Sequence, residues 1–491
     1  MRFTKNHLYI VFRFLAELVG RAGSFITFPL LAKFLGTEGY GIQTQMGAIN
    51  GMVMPIATMG LGFSVVRQIS GKDDVSYVSA RFLSTFMVVI ASSSTLTALV
   101  IIFAPLLNSL FIKVVWATSV IRWSALLIVL GTLELVLTDY YRARLRIVAY
   151  SAFQILQTTA IVGSIWLILT LGGGLLEVVL ALVVVKAALV LSMTVYFRSA
   201  GEIRFRSSLI SSLELEKMIR FGAPIIVTGI SAWMMGLGDR MVIGYYLTAN
   251  EVGVYGAAYT LAGILSALAS PFWGPLYPLM AVHKNNNSYR ELTGVCRKYT
   301  SAYCLIGIPA LLGLSTLSSE LLQRLGSVEF FVHPLMFGAI ALGLFSDQFS
   351  TNAHYLVYLH NDTKFLRNTT VLCGVLNIGM NIVLVPLLGI FGAALATLAS
   401  YLTLDALLFR KVISYGYPFK DLYDLDAIFR FTVSAFIMAV VVHATKSHKT
   451  VDPGALSSSV ILGMACYGAI LGLLTYAPLS FLKWMRGGSK D

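Results

Sequence analysis

Charge is what this chain has least of. Only 12% of its 491 residues are Asp, Glu, Lys or Arg, about half the share usual in soluble proteins. Hydrophobic residues make up 57%, and mean hydropathy is +0.79. A large buried core does not account for such a deficit, whereas many membrane-spanning helices do. Cysteine is also scarce: Cys296, Cys304, Cys373 and Cys466 are scattered without metal-ligand spacing, which excludes a disulfide framework or a zinc site. Long polar segments are missing too. No connection exceeds about 25 residues, so there is no room for a soluble catalytic domain. There is no P-loop, no Gly-rich nucleotide motif and no pair of loop carboxylates, so the sequence predicts neither direct ATP use nor a cofactor. The apolar stretch from Tyr9 to Leu35 is too long for a signal-peptide core and reads as the first membrane helix. The N-x-[ST] matches at Asn286 and Asn368 fall in segments read as cytoplasmic and are taken as chance.

What the chain does have is apolar runs. Division into spans of roughly 17–25 residues predicts an all-α polytopic membrane protein with about fourteen helices. Their limits are near 9–33, 40–64, 82–104, 118–138, 148–171, 175–197, 222–247, 253–280, 299–319, 333–357, 368–388, 391–409, 428–445 and 456–478. Pro271, Pro275 and Pro278 are expected to interrupt the eighth, and the eleventh should end near Pro386, breaks that neighbouring groups or water can satisfy. With the N-terminus inside, cytoplasmic segments collect about 26 of the 36 Lys and Arg, against about five outside. That asymmetry predicts both termini in the cytoplasm. It also explains the formal charge of +13 without a nucleic-acid partner.

Residues 198–221 include GEIRFRSSLISSLELEKMIRF, a polar stretch that could lie as an amphipathic helix on the inner leaflet and link two halves. KFLGTEGYG (Lys33 to Gly41) and YLTANEVGVYG (Tyr246 to Gly256) stand at corresponding places in those halves. So do LGGGLLEVVLALVVVK and LGIFGAALATLASYL, each read as a tight Gly turn at the outer face. Halves of six helices in one orientation suit a transporter built from parallel repeats, although Gly-rich turns between membrane helices are common by chance.

The segments FPLLAKFLGTEGYGIQTQ, PIATMGLGFSVVRQIS, FGAPIIVTGISAWMMGLGDRMVIGYYLTANEVGVYGAAYTLAGIL and LVPLLGIFGAALATLAS resemble the polysaccharide-export branch of the multidrug/oligosaccharidyl-lipid/polysaccharide transporter superfamily. Each motif is degenerate, and their order and spacing over nearly the whole chain carry the likeness. The resemblance implies an N-lobe over 1–197, a cytoplasmic linker over 198–221 and a C-lobe over 222–413, the two lobes enclosing a central cavity. Two further helices over 428–478 and a cytoplasmic tail over 479–491 complete the arrangement. It further implies a flippase, not an enzyme, in a bacterial inner membrane. Its cargo would be an undecaprenyl-diphosphate-linked oligosaccharide, an O-antigen, capsule or exopolysaccharide repeat unit, moved to the outer leaflet by alternating access. The implied partners are that lipid-linked glycan, the bilayer, and a glycan polymerase with its assembly proteins. An H+ or Na+ gradient, the membrane potential or a cargo gradient remain open as energy sources. The alternatives are a cation-coupled multidrug exporter or lipid II flippase of the same superfamily and, from another class, a membrane glycosyltransferase or polymerase.

Candidate site residues are the charges inside the spans, because placing one there costs at least about 2.5–3.5 kcal/mol and it then faces a cavity or a partner. Arg13, Glu17 and Arg21 recur every four residues on one helix face. Arg21 could hold a diphosphate in bidentate fashion, with Glu17 tuning its charge, or the set could simply neutralise itself. Arg122 and Lys186 would add positive potential, or else reach water from helix ends. Asp239 and Arg240 are adjacent and so point about 100° apart, which is read as excluding a simple pair; one would meet the cavity and the other a structural partner. Asp347 and His354 share a face and permit a proton relay. Glu134 is placed near a cytoplasmic helix end, Asp405 is ambiguous, and Tyr245, Tyr246, Tyr255 and Tyr259, near the outer mouth, are read as membrane-interface tyrosines ahead of the alternative that they stack on sugars.

Overall fold

The computed structural model describes residues 2–199, 212–445 and 453–487, and every regular element among them is a helix. In lipid a backbone N–H or C=O has no solvent partner, so a helix that satisfies both internally is the form that can cross. The chain divides into two compact units, residues 1–256 with 381–390 and residues 257–380 with 391–491.

The first unit contains α1 (Arg2–Ala57), α2 (Leu61–Ile69), α3 (Val75–Ile102), α4 (Ala104–Phe111), α5 (Ala117–Ala143), α6 (Ile147–Thr170), α7 (Leu175–Ser199), α8 (Ser212–Gly236), α9 (Gly238–Tyr246) and the start of α10 (Ala249–Ala262). α1 is two helices run together across a kink at Gly36, whose φ of 66° suits glycine. Asp74 starts α3 by accepting hydrogen bonds from the N–H groups of Ser76 and Tyr77 at 2.8 and 3.3 Å, the usual work of an N-cap. The expected Gly turn between α6 and α7 is present: Gly172 has φ 82°, and Glu177 accepts from the Gly174 N–H at 2.9 Å. Two cores hold these helices. Ile42, Ile49 and Val53 of α1 pack with Val120, Ile121 and Ile128 of α5 and Val179 of α7. Leu61 and Ile69 of α2 pack with Phe82, Tyr140, Tyr141 and Phe197, the Phe82 ring lying 5.1 Å from Tyr140 and 4.8 Å from Phe197.

The two glycine motifs of the sequence lie against each other in this unit. A methyl group on Gly41 would fall on the carbonyl oxygen of Ala249, and one on Gly253 would fall on that of Thr37. The Thr37 hydroxyl donates to Asn250 Oδ1 at 2.9 Å across the same seam. α8 is packed comparably on the end of α1, with Gly229 against Pro55 and Gly222 against the Met59 carbonyl. Such small-residue contacts let backbones approach where apolar burial gives helices no advantage over lipid.

The second unit contains the rest of α10, then α11 (Ile264–Asn285), α12 (Tyr289–Leu325), α13 (Pro334–Phe349), α14 (Thr351–Leu359), α15 (Thr363–Leu388), α16 (Ile390–Ser414), α17 (Phe419–Leu422), α18 (Leu425–Thr445) and α19 (Pro453–Gly487); residues 381–390 of α15 and α16 belong to the first unit. α12 packs on α18 through Cys304, Ile308 and Ala435, and further along through Leu317, Met438 and Val442. The interruption expected at Pro271, Pro275 and Pro278 falls elsewhere: α11 continues through all three, and the break is at Gly263. A proline removes one N–H and bends a helix, but its fixed φ is helical.

Eleven helices among the described residues are long and apolar enough to cross a membrane, or twelve if Gly222–Gly236 and Gly238–Tyr246, bent by 52°, form one span. The protein is therefore multi-pass. The fourteen expected spans differ from this count for local reasons. The first two are continuous across Gly36, and the seventh is bent at Leu237. The tenth is divided at Ser350 into helices of 16 and 9 residues, each shorter than the roughly 20 a crossing needs. Of the expected amphipathic linker, residues 200–211 lie outside the described residues, and 212–221 are the opening of α8.

Candidate functional site

In the first unit the chemistry gathers at two places. The first is the start of α9. Leu237, with φ −136°, ends the preceding helix, so Asp239 falls in a new first turn, where the exposed N–H groups favour a carboxylate. Its Oδ1 accepts from the backbone N–H of Arg240 and from Arg240 Nη1, both at 2.8 Å. The same Nη1 donates to the Gly236 carbonyl at 2.8 Å. The Tyr255 hydroxyl donates to Asp239 Oδ2 at 2.6 Å, and its ring lies 5.7 Å from the guanidinium carbon. The pair is buried, its side chains 0% and 5% exposed. This overturns the expectation that neighbours on a helix cannot pair. The helix break frees the first turn from strict helical geometry on its N-terminal side, and arginine is long enough to fold back over it. Tyr255, read from sequence as an interface residue, is fully buried as the third member.

The second place is a cavity of about 330 Å³ between α1, α5, α6 and α7. Glu134 of α5 and Lys186 of α7 form an ion pair on its wall. Lys186 therefore sits mid-helix with its charge neutralised, and Glu134 is not a surface group. Tyr150, Phe153, Gln154 and Gln157 of α6 face the same space. The Arg13 guanidinium lies over the Tyr150 ring at 5.3 Å. Glu17 is exposed on α1 and makes an interaction of its own, while the side chain of Arg21 lies outside the described residues. Arg122 is exposed near the start of α5 and makes no ion pair among the described residues.

The sequence reading missed Asp139, buried in α5 and paired with Arg142 one turn on. Its span had been closed at residue 138. The i,i+3 spacing of an acid and an arginine was the available signal.

In the second unit Asp347 and His354 stand on either side of the Ser350 break. No hydrogen bond or ion pair joins them among the described residues; Asp347 Oδ2 accepts instead from Gln348 Nε2 at 2.8 Å. Asp405 of α16, ambiguous from sequence, is buried, and Ser346 donates to its Oδ2. Its Oδ1 has no hydrogen-bond partner among the described residues. In the connection between α14 and α15, Asp362 is bound by Lys411, near the end of α16, at 2.8 Å and accepts from the Tyr415 hydroxyl at 3.0 Å. The Lys411 hydrogen bond holds the Asp362 carboxyl below its ordinary value. His360 stacks on Tyr415, with ring centroids 4.1 Å apart and planes 5° from parallel. Partial burial, and then the nearby Lys284 charge, lower the His360 pKa. Among the described residues no group of His, Cys, Asp or Glu could hold a metal ion.

The fold defines a class, a multi-pass helical membrane protein with ion pairs inside its helix bundle. The family described as "Polysaccharide biosynthesis protein" matches residues 4–283, more than half of the chain, and the chain belongs to it. It is similar to the probable low-salt glycan biosynthesis flippase Agl15 of Haloferax volcanii, with 23% identity over 96% of this chain and 94% of that protein. It is also similar to the probable flippase AglR of the same organism, with 24% identity over 48% of this chain and 49% of that protein. Among solved structures, the lipid II flippase MurJ in an inward closed conformation shares the fold at TM-score 0.73 and 16% identity, covering 96% of this chain and 99% of that one. An inward-facing multidrug resistance MATE family transporter does so at TM-score 0.65 and 14% identity, covering 82% and 98%.

Proposed function

We propose that this protein carries a lipid-linked oligosaccharide, borne on undecaprenyl diphosphate, from the cytoplasmic to the outer leaflet of a bacterial inner membrane by alternating access. The observation that carries the reading is full-length similarity to a glycan biosynthesis flippase, covering 96% of this chain. The chemistry supports it. Acids at the membrane level of the first unit are matched by bases, Asp239 with Arg240 and Glu134 with Lys186. Among the described residues, these two carboxylates are already neutralised and do not stand ready to draw a cationic drug. Of the four cations assigned to cargo from sequence, Lys186 and Arg240 are neutralised and Arg122 makes no ion pair among the described residues; Arg122 and Arg21, whose side chain lies outside them, are the two proposed to meet the diphosphate. Arginine suits that task because its planar fork matches phosphate oxygens. Asp405 is the group best suited to take up a coupling proton, being a buried carboxyl with one oxygen unpartnered. The same feature favours the second reading, a cation-coupled exporter.

The test is deletion of the gene, with lipid-linked intermediates measured by leaflet, followed by rescue with wild type, Arg21→Ala and Arg122→Ala at matched membrane abundance. Deletion should strand lipid-linked glycan on the cytoplasmic leaflet. Wild type should restore its transfer, and each alanine variant should restore it at least tenfold more slowly. Normal glycan transfer in the deletion strain, with altered drug tolerance, overturns the flippase cargo in favour of the exporter.

A further inference from the structure

We infer that the cavity between α1, α5, α6 and α7 is a subsite for a neutral sugar ring of the cargo, which extends the glycan-flippase reading and rests on it. The charges on its wall cancel. Lys186 is bound by Glu134, so a phosphate entering here would meet a carboxylate together with the ammonium, and a drug cation would meet the reverse. An uncharged, hydroxyl-bearing group gains from both, since hydroxyls donate to one and accept from the other.

The remaining wall has the same character. Gln154 and Gln157 lie one turn apart on α6 and line the cavity, and neither carboxamide makes a hydrogen bond to the described residues. A carboxamide presents an acceptor and a donor side by side, and so can engage two neighbouring hydroxyls at once. Both are only partly buried, so their amide groups stay open to the cavity, where a polar occupant can take the place of water. Tyr150 and Phe153 also line it; the Arg13 guanidinium lies over one face of the Tyr150 ring and Tyr141 stacks on one face of Phe153, so the apolar C–H side of a sugar ring would pack on the remaining aromatic surface. The volume of about 330 Å³ is at the small end of ligand pockets, which run from about 300 to 1,000 Å³. It admits one ring rather than a repeat unit.

Position fits early recognition. Tyr150 is in the first turn of α6 and Gln157 lies about 10 Å further along the helix axis. In the orientation set by the positive-inside rule, both stand in the cytoplasmic half of the membrane, where unflipped cargo is presented.

The experiment uses the full chain in nanodiscs, with saturation-transfer NMR against a panel of neutral methyl glycosides and, as a competitor, inorganic pyrophosphate. At least one glycoside should give transfer that falls fivefold or more in Gln154→Leu and Gln157→Leu. The melting temperature should be unchanged, and pyrophosphate should leave the signal intact. No transfer from any glycoside, equal transfer in both leucine variants, or displacement by pyrophosphate overturns the subsite. A leaflet assay on the same variants separates this inference from the one beneath it. If wild type moves no lipid-linked glycan, the flippase reading fails. If wild type and the Gln154→Leu, Gln157→Leu double variant move glycan equally fast, the subsite alone fails.

Discussion

Arg240 illustrates how a charge inside a membrane can be fixed entirely by its neighbours. Its guanidinium is held by Asp239 and by the Gly236 carbonyl, and Asp239 is held in turn by Tyr255. Removing one member strands the others, which is worth more than the net value of the pair. Asp239→Ala should therefore destabilise the protein by about 3–5 kcal/mol, and Tyr255→Phe, which removes one charged hydrogen bond, by about 1–3 kcal/mol. Thermal unfolding in nanodiscs measures both, and a Tyr255→Phe effect equal to that of Asp239→Ala would contradict this hierarchy. The sequence disclosed that Asp239 and Arg240 mattered, because charges are costly in a membrane. It did not disclose that they pair. Pairing depends on a helix break at Leu237, for which the flanking Gly236 and Gly238 are a weak signal because glycine also occurs in unbroken membrane helices. Glu134 and Lys186 were hidden differently: partners 52 positions apart leave no local pattern.

At the scale of elements, boundaries were the least legible. The long apolar runs of α3, α5, α6 and α7 were visible because twenty apolar residues have few readings other than a span. The breaks at Gly36, Gly263 and Ser350 were less visible, since glycine and serine also occur in unbroken membrane helices. The connection from α14 to α15 carries a pH response. His360 has its pKa lowered by partial burial and by Lys284, so between that lowered value and the ordinary value of about 6.5 the unfolded chain binds the extra proton. Stability then rises with pH across this window and is lost as pH falls through it. The melting temperature should drop between pH 7 and pH 5 in wild type, and drop less in His360→Gln. Identical slopes for the two would place the acid sensitivity elsewhere. Asp362 acts lower on the scale: its contribution, present above about pH 3.9, is lost as pH falls through its depressed value.

For the whole molecule, the membrane class and the family were legible from the start, because they rest on sums over hundreds of residues. The concentration of Lys and Arg in alternate connections predicts that both ends of the chain lie in the cytoplasm. Reporter fusions check this. A fluorescent protein that matures only in the cytoplasm should glow at either end, and alkaline phosphatase there should be inactive; active phosphatase at one end alone would mean an odd number of crossings. What composition could not reveal is the balance of charge. The chain carries +13, yet in the first unit Asp239, Glu134 and Asp139 each stand beside a base, an arrangement that no sum over residues discloses.

The seam between Gly41 and Gly253 has a genetic consequence. A methyl group added at either position meets a main-chain carbonyl, that of Ala249 or Thr37, and every amino acid carries the same carbonyl. No exchange of the opposing residue can make room, so a damaged seam has no allele-specific suppressor across it. Revertants of Gly41→Ala should be true reversions, or should map to distant positions that let a whole helix slide. Homologous chains should accordingly change these two glycines independently of the residues they face, leaving this seam without a covariation signal.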